Sequence, residues 1–423
     1  MKLQSFLAYS LVSTLYMYSI ALYRGAFDFY LVYLGLLFLI PFSFSVKPNL
    51  HITVRAFGII TAILFIQFLI TSYVGSEFSL VFKQVILITF TLLVLYLSFQ
   101  ALDFDLLSIF RAYYNLIFIV SLLILIQQIA HIIGIAFVYD LSWILNAYRV
   151  EPTEFGMLRT GGLSQEPAHF VYVSFPAIYF AISRILGDNK NEINYSLTKA
   201  IIMLCGFICT FSSIGIIGIF LYFIIKVARK SLPKLVIGLV AISILAMIAY
   251  SQLPFFQMRI NDTFEYSGKI DNIENTDNWS TYALLSNAYV TMQSMEDHPL
   301  IGAGLGNHVY NHEKYLSNIV SKTGDQYSLN KEDANSLMLR LLSETGLIGF
   351  GLIIYLLFRF KIKKRTFNNE VVEIFFLINE GVFLLIILKL IRDGNYAVNG
   401  FLFFLLLYYF SYKQIKLSNT TCK

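Results

Sequence analysis

Residues 159–169 read RTGGLSQEPAH, and their order suits work on a charged ligand. Arg159 carries a planar guanidinium, the group best shaped to grip a phosphate with two parallel hydrogen bonds. Gly161 and Gly162 let the backbone turn tightly or come close to a ligand. Glu166-Pro167 reads as a helix start, because proline tolerates the first helical position and a carboxylate there faces the positive end of the helix dipole. An ionised carboxylate so placed can also take a proton. The plainer reading of the same residues is a capped helix with an incidental Arg–Glu pair.

A second set lies in residues 254–345, the longest run too polar to sit in a bilayer. Its middle reads HPLIGAGLGNH, with His298 and His308 at the ends and Gly302, Gly304 and Gly306 between them. The spacing superficially resembles a dinucleotide loop, but no strand–helix–strand context surrounds it. Glycines that let a loop fold over a ligand are expected instead, with His298 or His308 as alternatives to Glu166 for the base. His298, His308 and His312 match no standard metal-ligand spacing, so neither metal nor cofactor is expected. The segment closes as KEDANSLMLRLLSETG, where Asp333 reads as a helix cap. Asp333, Leu337, Arg340 and Glu344 share one face of that helix, either solvated or lining a site. Arg340 is the second choice for phosphate. Trp279, Tyr282, Leu285, Tyr289, Met292 and Met295 also recur at helical spacing, with Asp277 or Asn278 as cap.

The elements that must hold these residues are membrane helices. Of 423 residues, 57% are hydrophobic and 13% charged, where a soluble domain carries about 25% charged residues. A span needs about 20 apolar residues. Spans are read at 6–23, 29–46, 56–73, 85–101, 113–138, 168–186, 235–252, 346–358, 372–391 and 397–412. The run 200–227 remains. Lysine and arginine gather on the cytoplasmic side, and a basic cluster at Lys226, Arg229, Lys230 and Lys234 follows this run. A single crossing would put that cluster outside, so the run goes out and back, turning near Thr210–Ser213. The expected architecture is an all-α polytopic membrane protein of about twelve transmembrane helices, both termini cytoplasmic. Residues 1–253 form the N-terminal helices, including an outer loop at 139–167. Residues 254–345 form a large extracytoplasmic loop, and 346–423 the last helices and tail. The net charge of +5 reflects this anchoring and no nucleic acid. Asp103 and Asp105 read as helix-end charge. Gln67, Gln127, Gln128 and His131 read as interhelical hydrogen-bonding groups. Glu380, at the centre of its span, keeps a proton-coupled lipid or sugar transporter open as a different class.

Together the motifs resemble the O-antigen polymerase (Wzy) and O-antigen ligase superfamily. They are Arg159, Gly162, Glu166 and Pro167; His298 to Gly304; Asn335 through Gly349; and the closing Arg392-Asp393-Gly394-Asn395-Tyr396. The resemblance implies an all-helical, GT-C-like glycosyltransferase of the bacterial inner membrane with its site on the extracytoplasmic face. It implies a glycan on undecaprenyl pyrophosphate as donor and a lipid-linked repeat unit as acceptor. A chain-length regulator and a flippase would be partners. Substrate binding would involve Arg159, Gly162, Gly302, Gly304, Asn335, Arg340 and Glu344, and catalysis Glu166, His298 or His308. Ligases of the superfamily commonly carry a histidine directly before the asparagine of the third motif. Here that residue is Ala334, which favours a polymerase over a ligase.

Overall fold

The computed structural model describes residues 3–23, 29–43, 50–145, 150–153, 156–187, 196–228, 278–320, 327–363 and 369–421, with single positions between 236 and 265. The expected span 235–252 and the first part of the large loop fall mostly outside these residues. The described chain is an all-α polytopic membrane protein. Five helices are each long and apolar enough to cross a bilayer: Phe78–Ala101, Leu106–Ile133, Pro167–Ile185, Leu337–Arg359 and Glu370–Ile391. Two of them are interior. Within Pro167–Ile185 and Glu370–Ile391, 78% of the apolar window is buried in protein, against 28–39% in the other three. The outer three turn apolar faces outward, where lipid replaces water.

The inner pair is bound by close approach and by one inserted hydroxyl. Pro176 lies inside its helix, where it removes a backbone donor. Tyr113, from the Leu106–Ile133 helix, bonds the backbone on either side of it. Its hydroxyl donates to the Val173 carbonyl at 2.7 Å and accepts from the Ala177 N–H at 3.3 Å. Gly381 of the facing helix lets it approach, since a Cβ there would stand 3.0 Å from Pro176 Cα. Nearby, the Tyr179 hydroxyl donates to Glu380. The residue that kept a transporter open is thus hydrogen-bonded inside the inner pair.

The run 200–227 forms two short helices, Leu197–Ile208 and Ser213–Ala228, broken at the expected Thr210–Ser212 turn. Thr210 Oγ1 donates to the Phe207 carbonyl there at 2.7 Å. A reporter active only outside the cytoplasm is therefore expected to be inactive when fused after Lys230. An active fusion would mean that the run crosses once.

The first expected span, 6–23, is corrected. Its helix is Leu3–Ser13, followed by a 3-10 turn and a strand, Ala21–Tyr23, paired antiparallel with Phe29–Tyr30. Hydropathy counts apolar length only, and tyrosines suit a strand as well as a span. Asp105 is a helix-end residue, capping Leu106–Ile133 through Ser108 N–H at 3.1 Å.

Candidate functional site

The glycine loop and the helix after it are one structural unit. The helix Leu337–Arg359 is interrupted at Gly346, whose φ of 61° and ψ of −167° are non-helical. The break frees backbone groups, and the loop takes them up. Pro299 and Leu300 carbonyls accept from Leu347 N–H at 2.9 Å and Ile348 N–H at 3.1 Å. In return, Ala303 and Gly304 N–H groups donate to Ser343 and Glu344 carbonyls at 3.0 and 2.8 Å. Gly302, with φ +65°, lies so close that a Cβ would stand 2.5 Å from the Glu344 carbonyl carbon. The glycines therefore fold the loop over the broken helix and not over a ligand cavity. Gln67 secures the same loop by accepting from Leu305 N–H at 2.8 Å.

Arg340 and Glu344 are buried beneath this unit. Arg340 Nε donates to Glu344 at 2.8 Å, while its other nitrogens reach the Gly394 carbonyl at 3.1 Å and Gln84 at 3.0 Å. Its guanidinium lies over the Tyr396 ring at 4.1 Å, and the Tyr396 hydroxyl donates to Glu344 at 2.9 Å. A guanidinium so occupied is unsuited to phosphate, contrary to the second choice made from sequence. Breaking a buried pair leaves a charge uncompensated, so Arg340→Ala is expected to cost about 3–5 kcal/mol. Thermal unfolding of the purified protein checks this; full stability with lost activity would instead return Arg340 to the chemistry.

His308 is equally enclosed. One ring nitrogen meets Ser343 Oγ at 3.0 Å and the other Asn287 Oδ1 at 2.8 Å. Burial, then His312 and Arg340, holds its pKa well below the ordinary imidazole value. Asn311, Ser294 and Ser343 complete this polar core. The helix Trp279–Asp297, capped by Asn278, supplies Asn287 and Ser294 from a buried face that also includes Ala283, Ser286 and Thr291. Of the stripe read from sequence, Tyr282 is buried and Leu285 and Tyr289 pack with it beside Tyr315, Leu316 and Val320, while Trp279 and Met292 are exposed. His298 ends this helix and packs its ring on Tyr73, 6.2 Å between centroids.

The cavity lies elsewhere, where several helix ends meet. Its volume is about 630 Å³. Pro167–Ile185, Ser213–Ala228 and Trp279–Asp297 all start at its wall, and Glu370–Ile391 ends there. Helix starts present positive dipole ends, which favour anions. Charged side chains at the wall are Arg159, Arg392, Glu151, Glu166, Asp333 and Asp393, with His169.

Intramembrane glutamines seat the Arg159 strand. Gln128 accepts from Leu158 N–H at 2.9 Å and donates to the Leu158 and Cys209 carbonyls. Gln127 accepts from Thr160 Oγ1 at 2.9 Å. These side chains tie loops to helices, where the sequence suggested helix-to-helix bonds. Gly162 fits against Val120 and Ile124 and bears on the site only as packing. Arg159 pairs with Glu151 at 3.3 Å, not with Glu166. Glu166 holds the cap position without a side-chain capping bond. Arg392 makes no ion pair among the described residues and faces the cavity.

The opposite wall is two interlocked loops. Asp393 N–H donates to the Asn335 carbonyl at 2.9 Å, and Asn395 Nδ2 to Asp333 at 2.6 Å. Asn330, Ala334, Asn335 and Asp393 all adopt left-handed backbone there, a strained state that packing must hold. Ser336, not Asp333, caps the following helix. The two aspartates are pushed apart. Burial, then Asp393, raises the Asp333 carboxyl above the usual range. Burial also raises Asp393, but Lys389 at 2.7 Å, then His169, outweighs it and leaves Asp393 lowered.

Of the catalytic and substrate-binding residues expected from sequence, the cavity brings together Arg159, Glu166 and Asn335. His298, His308, Gly302, Gly304, Arg340 and Glu344 are not at its wall. His169, Asp393 and Arg392 are, though none was assigned a role from sequence. His169 follows Glu166 by three residues, a spacing that places both on one helix face. Among the described residues, no group of three metal-ligating side chains converges.

Residues 199–354 match the family model described as O-Antigen ligase. The match supports the resemblance to the O-antigen polymerase and ligase superfamily over that stretch. The matched stretch takes in the short-helix hairpin, the glycine loop and the broken helix. It stops short of Arg392 and begins after Arg159 and Glu166, so two sides of the cavity come from outside it. No curated protein matches the chain.

Proposed function

We propose that this protein is a repeat-unit polymerase of the O-antigen polymerase and ligase superfamily. It transfers a glycan from undecaprenyl pyrophosphate to a hydroxyl of a lipid-linked single repeat unit on the extracytoplasmic face of the inner membrane, building O-antigen, capsule or exopolysaccharide. The observation that carries this reading is the cavity itself, where two guanidinium groups and the Glu166 carboxylate meet at the ends of membrane helices. In this scheme Glu166 takes the proton of the acceptor hydroxyl as its oxygen attacks the donor's anomeric carbon. The bond from that carbon to the pyrophosphate oxygen breaks, and the departing charge is held by Arg159, Arg392 and the helix starts. The scheme uses no metal ion and no nucleotide sugar.

A ligase, which would pass the finished polymer to a lipid A–core acceptor, is the second reading. The position where ligases commonly carry histidine is Ala334, buried and with φ +58°. No imidazole stands there, which supports the polymerase. The basic clusters support a scheme with both termini in the cytoplasm, and the reading takes a chain-length regulator and a flippase as partners in the membrane. Deletion in the native host tests the choice. Loss of a polymerase leaves surface lipid carrying one repeat unit, whereas bare core would identify a ligase.

A further inference from the structure

One side of the cavity is built for something other than phosphate. Asn335 is 6% exposed and lines the cavity, yet its Nδ2 has no hydrogen-bond partner among the described residues. A buried amide donor left unmade is costly, and native structures rarely keep one without a use. Its neighbours are amides of complementary capacity. Asn330 Nδ2 donates to Asp333 Oδ1 at 2.9 Å and Asn395 Nδ2 to Asp333 Oδ2 at 2.6 Å. Each therefore turns its donor to the carboxylate and keeps a carbonyl oxygen without a donor among the described residues. At the same cavity wall Trp279 is 49% exposed, and no other described ring packs on it.

This set has one amide donor, two amide acceptors, a carboxylate and an open aromatic face. A phosphate at Asn335 would stand beside Asp333 and be repelled. A pyranose ring meets every requirement: its hydroxyls both donate and accept, and its C–H face packs on an indole. We propose that Trp279, Asn330, Asn335 and Asn395 form a subsite for a sugar ring of the acceptor repeat unit, with the unpartnered Asn335 amide at its buried end. The naming of the ring as the acceptor's rests on the polymerase reading; the sugar subsite itself rests on the geometry. It borders the Arg392 guanidinium, since Asp393, the next residue, donates its N–H to the Asn335 carbonyl.

The chain contains two tryptophans, Trp143 and Trp279, which makes the subsite directly readable. Trp143 is exposed, lies outside the cavity wall and stacks on Phe137, a contact phenylalanine preserves. In full-length Trp143→Phe protein in nanodiscs, Trp279 is the sole indole. The probe is the oligosaccharide freed by mild acid from the lipid-linked repeat unit of the deletion host. The expected result is a saturable change in Trp279 emission and protection from iodide quenching. Adding Asn335→Gly, which suits the left-handed backbone, should weaken binding at least tenfold. Inorganic pyrophosphate should neither shift the emission nor compete. No emission change, unaltered affinity in Asn335→Gly, or competition by pyrophosphate would each overturn the subsite. If Asn335→Gly does not fold, iodide protection and pyrophosphate competition in the Trp143→Phe protein decide alone. Transfer between lipid-linked units, measured on the same preparation, tests the polymerase reading separately: failed transfer with an intact Trp279 response would sink that reading and leave the sugar subsite standing.

Discussion

Arg159→Ala is expected to lower polymer formation by about 10²–10³-fold, the usual loss when one group stabilising a departing charge is removed. The effect should not come through folding. Among the described residues Arg159 pairs only with Glu151, and both side chains are partly exposed, at 31% and 59%. Such a pair is worth about 0–1 kcal/mol, far too little to remove the protein from the membrane. Arg159→Lys keeps the charge but loses the fork and should recover little. Glu151→Gln removes the same ion pair and should leave activity close to normal. Arg392→Ala should match Arg159→Ala, since its guanidinium also faces the cavity. Polymer length on gels, normalised to membrane protein, reads all four. Full-length polymer from Arg159→Ala would mean that the residue serves structure alone.

Glu166→Gln should stop turnover, by about 10²–10⁴-fold, while membrane level and binding of lipid-linked substrate stay nearly unchanged. A structural role predicts a different outcome. Capping residues are worth about 1 kcal/mol, and Glu166 makes no side-chain capping bond to lose. His298→Ala measured beside it should retain activity, because His298 packs on Tyr73 away from the cavity wall. His308→Ala should lose stability before it loses chemistry, since it empties the core that joins Asn287 to Ser343. Turnover in Glu166→Gln near that of the parent would move the base elsewhere, with Asp333 and His169 next at the wall.

Much of this arrangement was legible in residue order. The Glu166-Pro167 helix start, the Thr210–Ser213 break and the Asn278 cap follow from local backbone chemistry and stand where expected. The superfamily motifs were also visible, but their meaning was not. His298-Pro299-Leu300 and the Glu344–Gly349 stretch look like two ligand motifs. They are two halves of one backbone exchange around Gly346, a contact between segments some 45 residues apart that no local pattern reports. His308 drew attention as a titratable residue in a polar loop, and only packing shows it enclosed. A signal was present in Asn287, Thr291 and Ser294, a small polar stripe at helical spacing on the helix that covers it. Arg392 was named in the closing motif but given no role, because arginines flanking spans ordinarily count as anchors. Its place beside Asp393 and Asn335 depends on which loop the chain end meets, and that is set by the fold.

The most direct test of the account is transfer by the purified full-length protein in nanodiscs, supplied only with lipid-linked single repeat units from the deletion host. A ladder of products rising by one repeat unit, with release of undecaprenyl pyrophosphate and no added metal or sugar nucleotide, is the predicted result. Absence of any ladder, with single repeat units instead moved onto lipid A–core in a parallel reaction that includes it, would contradict it.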